Sequence, residues 1–367
     1  GGLTLAGAAA APSHVRAQPR KRGGTLTIRG WDPPMFDPML QTAYRVQIPI
    51  TFTHSRLVKH KAGPGIPPAT FPIEGDLAES WSQPNDTTYV FKLRRGVRWH
   101  PRPPVNGREL TADDVRYSVE RFLTVKGNPM AYMLKSMERL EVVDRYTVKF
   151  VLKEPFGWFL DVLATPMAVP IIAHECVEKF GDLKKAEAVI GTGPWMLDSH
   201  RPNVGLTFIR HPNYFLAGLP YIDRIEYVVD EDNGSRMAAF VAGKYDLGWE
   251  FPGSINRSDW LQIKDTLKQR RPNIRTAEFP SNVETHISMR ADIPPFKDVR
   301  VRRAVSLGLD RQGMIDASFE GVGNFNTAVP AGLVEWALPV NQLGEGAKYF
   351  RHDPAEAKRL LAAAGYP

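Results

Sequence analysis

The sequence predicts an α/β fold with more than one domain. Three observations carry this. Segments of alternating apolar and polar residues are interspersed with segments of helical period along the chain. The chain has 367 residues, more than a single hydrophobic core usually organises. Its composition, 43% hydrophobic and 24% charged, is that of an ordinary globular protein.

The elements follow in order. Gly1 to Pro12 is small and apolar, too short to span a bilayer, and with Arg16-Ala-Gln18 behind it reads as an export-signal remnant over residues 1–18. Thr25–Arg29 alternates and opens as a strand; the Asp and Pro residues of 30–38 forbid regular structure after it. Residues 41–58 suit a helix and 59–75 a proline-rich loop. Thr88–Arg94 is a strand, and 96–100 is expected to continue after a turn. Thr111 caps a helix over 112–123, with Asp113 and Asp114 in its first turn and Val115, Val119 and Phe122 on one face. Strands are expected at 146–152, 224–229, 245–249 and 286–289, with a hairpin of 192–197 and 206–210. Helices are expected at 156–163, 235–241 and 299–309, with Asp310 capping another. The last helix is the best marked, with Asp353 as cap, Pro354 at its first position, Glu356 three after the cap and Gly365 at its end.

Composition narrows the chemistry. The net charge is +7, but the Lys and Arg residues form only small clusters, so no nucleic-acid face is predicted. The single cysteine, Cys176, excludes an internal disulfide and a multi-thiolate metal site, and its apolar setting predicts a buried, inert thiol. His174-Glu175 lacks the second histidine of a zinc-protease helix. There is no Gly-x-Ser-x-Gly elbow, no phosphate loop and no complete dinucleotide fingerprint. The expectation is a protein without catalytic residues, metal or cofactor.

Five stretches then gain meaning from their order: Leu77–Trp81, Leu110–Val115, Gly191-Thr-Gly-Pro-Trp195, Asp298–Arg311 and Asp353–Lys358. Between them lie Arg95-Gly-Val-Arg-Trp-His100, His211-Pro-Asn-Tyr-Phe215, Ala242–Leu247 and Pro294–Arg303. Together they resemble the family 5 extracellular solute-binding proteins of ABC importers, which include peptide, dipeptide and nickel receptors. Most of these motifs are architectural: the glycines shape a turn, and Asp298 and Arg302 hold a helix.

The resemblance implies a periplasmic binding protein of type II, with two lobes around a hinge and a subdomain inserted in the first lobe. The first lobe would comprise 24–56 and 190–278, the inserted subdomain 57–189, and the second lobe 279–367. Family members continue past the Ala-Gly-Tyr-Pro at 364–367, so the second lobe is expected to be truncated. The implied protein is exported, periplasmic or envelope-associated, and monomeric. It captures a small solute, an oligopeptide or a peptide-like molecule, for an ABC permease. A nickel chelate, an opine or an oligosaccharide fits the same fold, and a secreted hydrolase of cell-envelope material is the distant alternative. By position, ligand contacts are expected from Trp31, Met35 and Phe36 after the first strand and from Trp158 and Met167 in the inserted subdomain. Trp249 and Glu250 are expected at the first crossing between lobes, and Glu284, Thr285 and His286 at the second. Core packing competes for the apolar residues and a salt bridge for Glu250.

Overall fold

A computed structural model describes residues 21–63, 65–67, 70–248, 254–278, 285–325, 327–333 and 335–366. Strand β1 (Thr25–Gly30) leads through an irregular loop to helix α1 (Tyr44–Thr53). Strands β2 (Val58–His60), β3 (Ile73–Gly75), β4 (Ala78–Asn85) and β5 (Thr88–Leu93) follow. Next come α2 (Ala112–Thr124), β6 (Met137–Asp144), β7 (Thr147–Leu152), α3 (Phe159–Ala164) and α4 (His174–Phe180). Strands β8 (Trp195–Arg201), β9 (Gly205–Arg210) and β10 (Arg224–Val229) come next. Beyond them lie the helices α5 (Asn233–Val241), α6 (Arg257–Arg270), α7 (Val299–Gly308), α8 (Arg311–Phe319) and α9 (Pro354–Ala363).

Two four-stranded sheets and the antiparallel pair β2-β3 organise the strands. The first has the order β1-β10-β9-β8, with β1 parallel to β10 and the other pairs antiparallel. Thr25 pairs with Arg224 and Gly30 with Val229, so this sheet closes only after the intervening chain has folded out and returned. Its core joins Ile28, Ile50, Leu197, Phe208 and Tyr227. The second sheet lies wholly in that intervening chain, with the antiparallel order β4-β5-β7-β6. The alternation that predicts β5 and β7 puts Phe91, Val148 and Phe150 on one face, where they share a core with Val115, Val119 and Phe122 of α2. Thr111 N–H donates to the Asp114 carboxylate at the start of α2 (2.9 Å), as its cap predicts. Cys176 is buried in the same core, and burial pushes its thiol up to about 12, an inert state.

Four expected elements differ. Gly96 makes the expected turn with φ +71°, but residues 96–100 form only an isolated bridge, Arg98 to Glu109, and no strand. Trp99 N–H then bonds Arg108 O (3.0 Å) and His100 N–H bonds Gly191 O (2.9 Å). Residues 245–248 form no strand; Asp246 instead reaches the edge of β1 through its backbone N–H to Thr27 O (2.8 Å) and its carboxylate to Thr27 N–H (2.7 Å). Residues 286–289 stand without a ladder, since a strand needs an edge to pair with, and among the described residues none follows β10. The expected helix of 41–58 is confined to 44–53 and carries Pro49.

In the C-terminal part, α7 and α9 pack through Ala304, Leu307 and Ala357. Asp298, Asp310 and Asp353 each cap the helix that follows, accepting from Arg300 N (2.8 Å), Gly313 N (2.9 Å) and Glu356 N (3.0 Å). Arg302 donates to Phe296 O (2.6 Å), the holding role predicted for it. With so small a core these caps weigh heavily. Asp353→Ala is expected to cost about 1 kcal/mol and to raise amide exchange across α9 while leaving the two sheets unchanged.

Candidate functional site

The loop after β1 is fixed from several directions. Gly30 ends β1 under the Tyr227 ring, where a Cβ would stand 1.7 Å from a ring carbon, so only glycine fits. Trp31 N–H donates to the Tyr227 hydroxyl (3.1 Å). Burial pushes that phenol up to about 12, so it stays neutral. Arg29 is buried under Trp31, its guanidinium 4.7 Å from the indole centroid, and donates through Nε to Asp230 O (2.9 Å). Asp32 Oδ1 and His200 Nε2 are hydrogen bonded at 2.9 Å, and His200 meets Phe36 edge-on at 5.1 Å.

Asp37 closes the loop. It is fully buried and held by the two terminal guanidinium nitrogens of Arg121 on α2, Nη2 at 2.5 Å and Nη1 at 3.2 Å. It also accepts from Met39 N–H (3.1 Å). A bidentate pair of this kind locks the loop to the inserted chain. The loop is therefore a rigid wall, suited to presenting an aromatic side chain without an ordering cost.

The Gly191-Thr-Gly-Pro194 turn sits where the chain re-enters the first sheet. A Cβ on Gly191 would stand 1.9 Å from Thr53 O, and one on Gly193 2.6 Å from Thr53 C. Gly193 N–H donates to Thr53 O (2.8 Å) at the end of α1. The glycines therefore serve close backbone approach as well as the turn. Two buried histidines, His100 and His211, both face the Gly193 carbonyl at 3.2 Å.

The predicted ligand residues are not all alike. Trp31 and Met35 are half-buried on the loop, whereas Phe36 is buried in the core of the first sheet. Met167 packs half-buried against the core of the inserted chain. Trp158, preceding α3, is 56% exposed, while the adjacent Phe159 is buried against Tyr89 and Phe150. Thr285 and His286 are exposed, and Trp249, Glu250 and Glu284 lie outside the described residues.

Trp158 has a partner that sequence reasoning missed. Its ring meets that of Trp336 at 5.6 Å between centroids, inclined at 52°. Trp336 stands in a turn closed by its own N–H to Leu333 O (2.9 Å) and is 58% exposed. The contact joins the inserted chain to the C-terminal part across 178 positions, and each indole keeps a large open face. Among the described residues no group of three His, Cys, Asp or Glu is placed to hold a metal ion, and no helix is long and apolar enough to cross a membrane. Two cavities, of about 510 and 290 Å³, share Tyr214 and contain none of the predicted residues.

The family of bacterial extracellular solute-binding proteins, family 5 (middle region), matches residues 72–367. The chain belongs to this family. The glutathione-binding protein GsiB of Escherichia coli K12 is 29% identical over 297 residues, covering 80% of this chain and 54% of GsiB. The chain thus spans about half the length of the curated relatives it matches. Among solved structures, DppA of Helicobacter pylori in complex with the peptide STSA has a TM-score of 0.75 at 23% identity, covering 95% of this chain and 67% of DppA. AgaA of Agrobacterium tumefaciens R10 with agropinic acid has a TM-score of 0.74 at 25% identity, covering 94% and 65%. NikA of Brucella suis with Fe(III)-EDTA has a TM-score of 0.70 at 25% identity, covering 93% and 64%. The fold is that of a type II periplasmic binding protein, as the ordered motifs imply.

Proposed function

We propose that the protein captures peptides or peptide-like solutes between two lobes and hands them to the permease of an ABC importer. The observation that carries this reading is the Trp158–Trp336 contact, two half-open indoles brought together from distant parts of the chain. In this reading 24–56 and 190–278 form the first lobe, 57–189 the inserted subdomain and 279–367 the second-lobe portion. The two tryptophans then face each other across the cleft. Trp31 and Met35, on the clamped loop, supply the first-lobe wall. Solute binding shifts an open–closed equilibrium toward the closed form, which a permease can read. The same reading makes the protein an exported monomer whose signal lies in residues 1–18, outside the described region.

The preference for peptides draws on the relatives named for glutathione and on the neighbour holding STSA. An opine is the second reading, favoured by the comparably close fit to the agropinic acid complex. Titrating full-length protein with short peptides and with opines, read by tryptophan fluorescence, separates the two. For the solute class that binds, Trp158→Ala and Trp336→Ala are each expected to weaken affinity about tenfold, the loss of one aromatic contact to the solute. Unchanged affinity in both variants would remove these residues from the site.

A further inference from the structure

We propose that the contact between the first sheet and the inserted subdomain at the Gly191–Pro194 turn is an acid-sensitive joint, opened by protonation of the buried pair His100 and His211. This inference rests on the geometry of the joint and not on the identity of the solute.

Both imidazoles are essentially inaccessible, and their rings meet edge to face with centroids 4.9 Å apart. The hydrogen bonds fix the state of His100. Its Nδ1 accepts from Gly191 N–H (3.1 Å), so that nitrogen carries no proton. Its Nε2 therefore bears the hydrogen, which it donates to Gly193 O (3.2 Å). A second proton on His100 would set N–H against N–H and break the bond to Gly191. His211 donates through Nδ1 to the same Gly193 carbonyl (3.2 Å). Its Nε2 is buried with no hydrogen-bond partner among the described residues, so a proton placed there would be an uncompensated buried charge.

The surroundings offer no relief. From the end of α1 comes His54, buried, with Nδ1 on Thr53 Oγ1 (2.8 Å). From the loop after His100 comes Arg102, a further cation, which donates to Leu197 O and lies 3.5 Å from Asp198. Next to His211, Arg210 is paired with Asp223 (3.4 Å), and Tyr214 is kept neutral by burial. The turn 191–194 carries no titratable side chain. Burial, and for His100 also the neighbouring His211, holds both imidazoles below the ordinary histidine value, and burial brings His54 to about 4.

The sign follows directly. A histidine depressed in the folded state contributes its full stability above its unfolded value, near 6.5, and loses it as pH falls below that. Each such histidine weakens folding of the joint tenfold per pH unit below about 6.5, until its own folded value is reached. The turn that tethers the inserted subdomain to α1 is then the place where the molecule opens.

The test is hydrogen exchange of the Gly191 and Gly193 amides in the full-length protein between pH 7.5 and 5, corrected for intrinsic exchange. It is paired with a histidine NMR titration. The expected result is at least a tenfold loss of protection per pH unit below about 6.5, with His100 and His211 staying neutral until the joint opens. Where His211→Gln folds, its pH slope is expected to be about tenfold per unit shallower than that of the wild type. Constant protection down to pH 5, or histidines that titrate near 6.5 in the closed protein, would overturn the proposal.

Discussion

Arg121→Leu destabilises the protein by about 3–5 kcal/mol, the expected cost of leaving a buried carboxylate without its partner. Asp37 has no solvent access, and among the described residues its carboxylate accepts only from Met39 N–H and the guanidinium of Arg121. The loss is chiefly that of an uncompensated charge, so it shrinks when the charge is removed too. The double variant Asp37→Leu with Arg121→Leu is expected to recover most of the stability, because apolar groups that replace a buried pair together are often nearly neutral. Denaturant unfolding of the two variants checks both statements. A double variant no better than Arg121→Leu would mean that Arg121 acts by packing under Met39.

Gly191→Ala is the second large effect. The added Cβ would meet Thr53 O at 1.9 Å and Thr53 C at 2.8 Å, both backbone atoms of the last residue of α1. No side-chain rotation relieves such a clash, so either the turn or the helix end must move. The expected cost is about 3 kcal/mol or more, at the upper end for overpacking. Gly308→Ala is the internal control. A Cβ there meets nothing within 4 Å at the end of α7, and alanine is the better helix former, so stability is expected to hold or rise slightly. Melting temperatures of the pair decide it: equal values would show that the Gly191 turn yields cheaply.

The cap of α9 was legible in the sequence because its rule is local. Asp353, Pro354 and Glu356 satisfy helix-end groups within a few residues, and no distant contact overrides them. The alternation in β5, β7 and β10 was legible because each strand buries one face more than the other. What failed was tertiary. Residues 245–248 and 286–289 have strand composition, but a strand exists only where an edge accepts it. Gly191 and Gly193 read as turn glycines, yet the demand for them comes from Thr53, some 140 positions away.

The site shows the same division. Trp31 could be chosen because it follows a strand and precedes a proline-broken loop. Phe36, chosen on the same ground, is core. Trp336 gave no signal, standing in an unmarked apolar stretch, and only its meeting with Trp158 singles it out. His100 and His211, more than a hundred positions apart, become a pair only through the fold.

Capture of a solute between lobes makes the melting of the full-length protein depend on ligand. The panel comprises di- to pentapeptides, glutathione, opines, nickel chelates and oligosaccharides. A solute at a hundred times its dissociation constant stabilises the folded state by about 2.7 kcal/mol, a readable rise in melting temperature. That rise is expected for the peptides, and in Trp158→Ala, with affinity about tenfold weaker, it falls to about half, roughly 1.4 kcal/mol at the same concentration. A cooperatively melting protein that no member of the panel stabilises would contradict such capture.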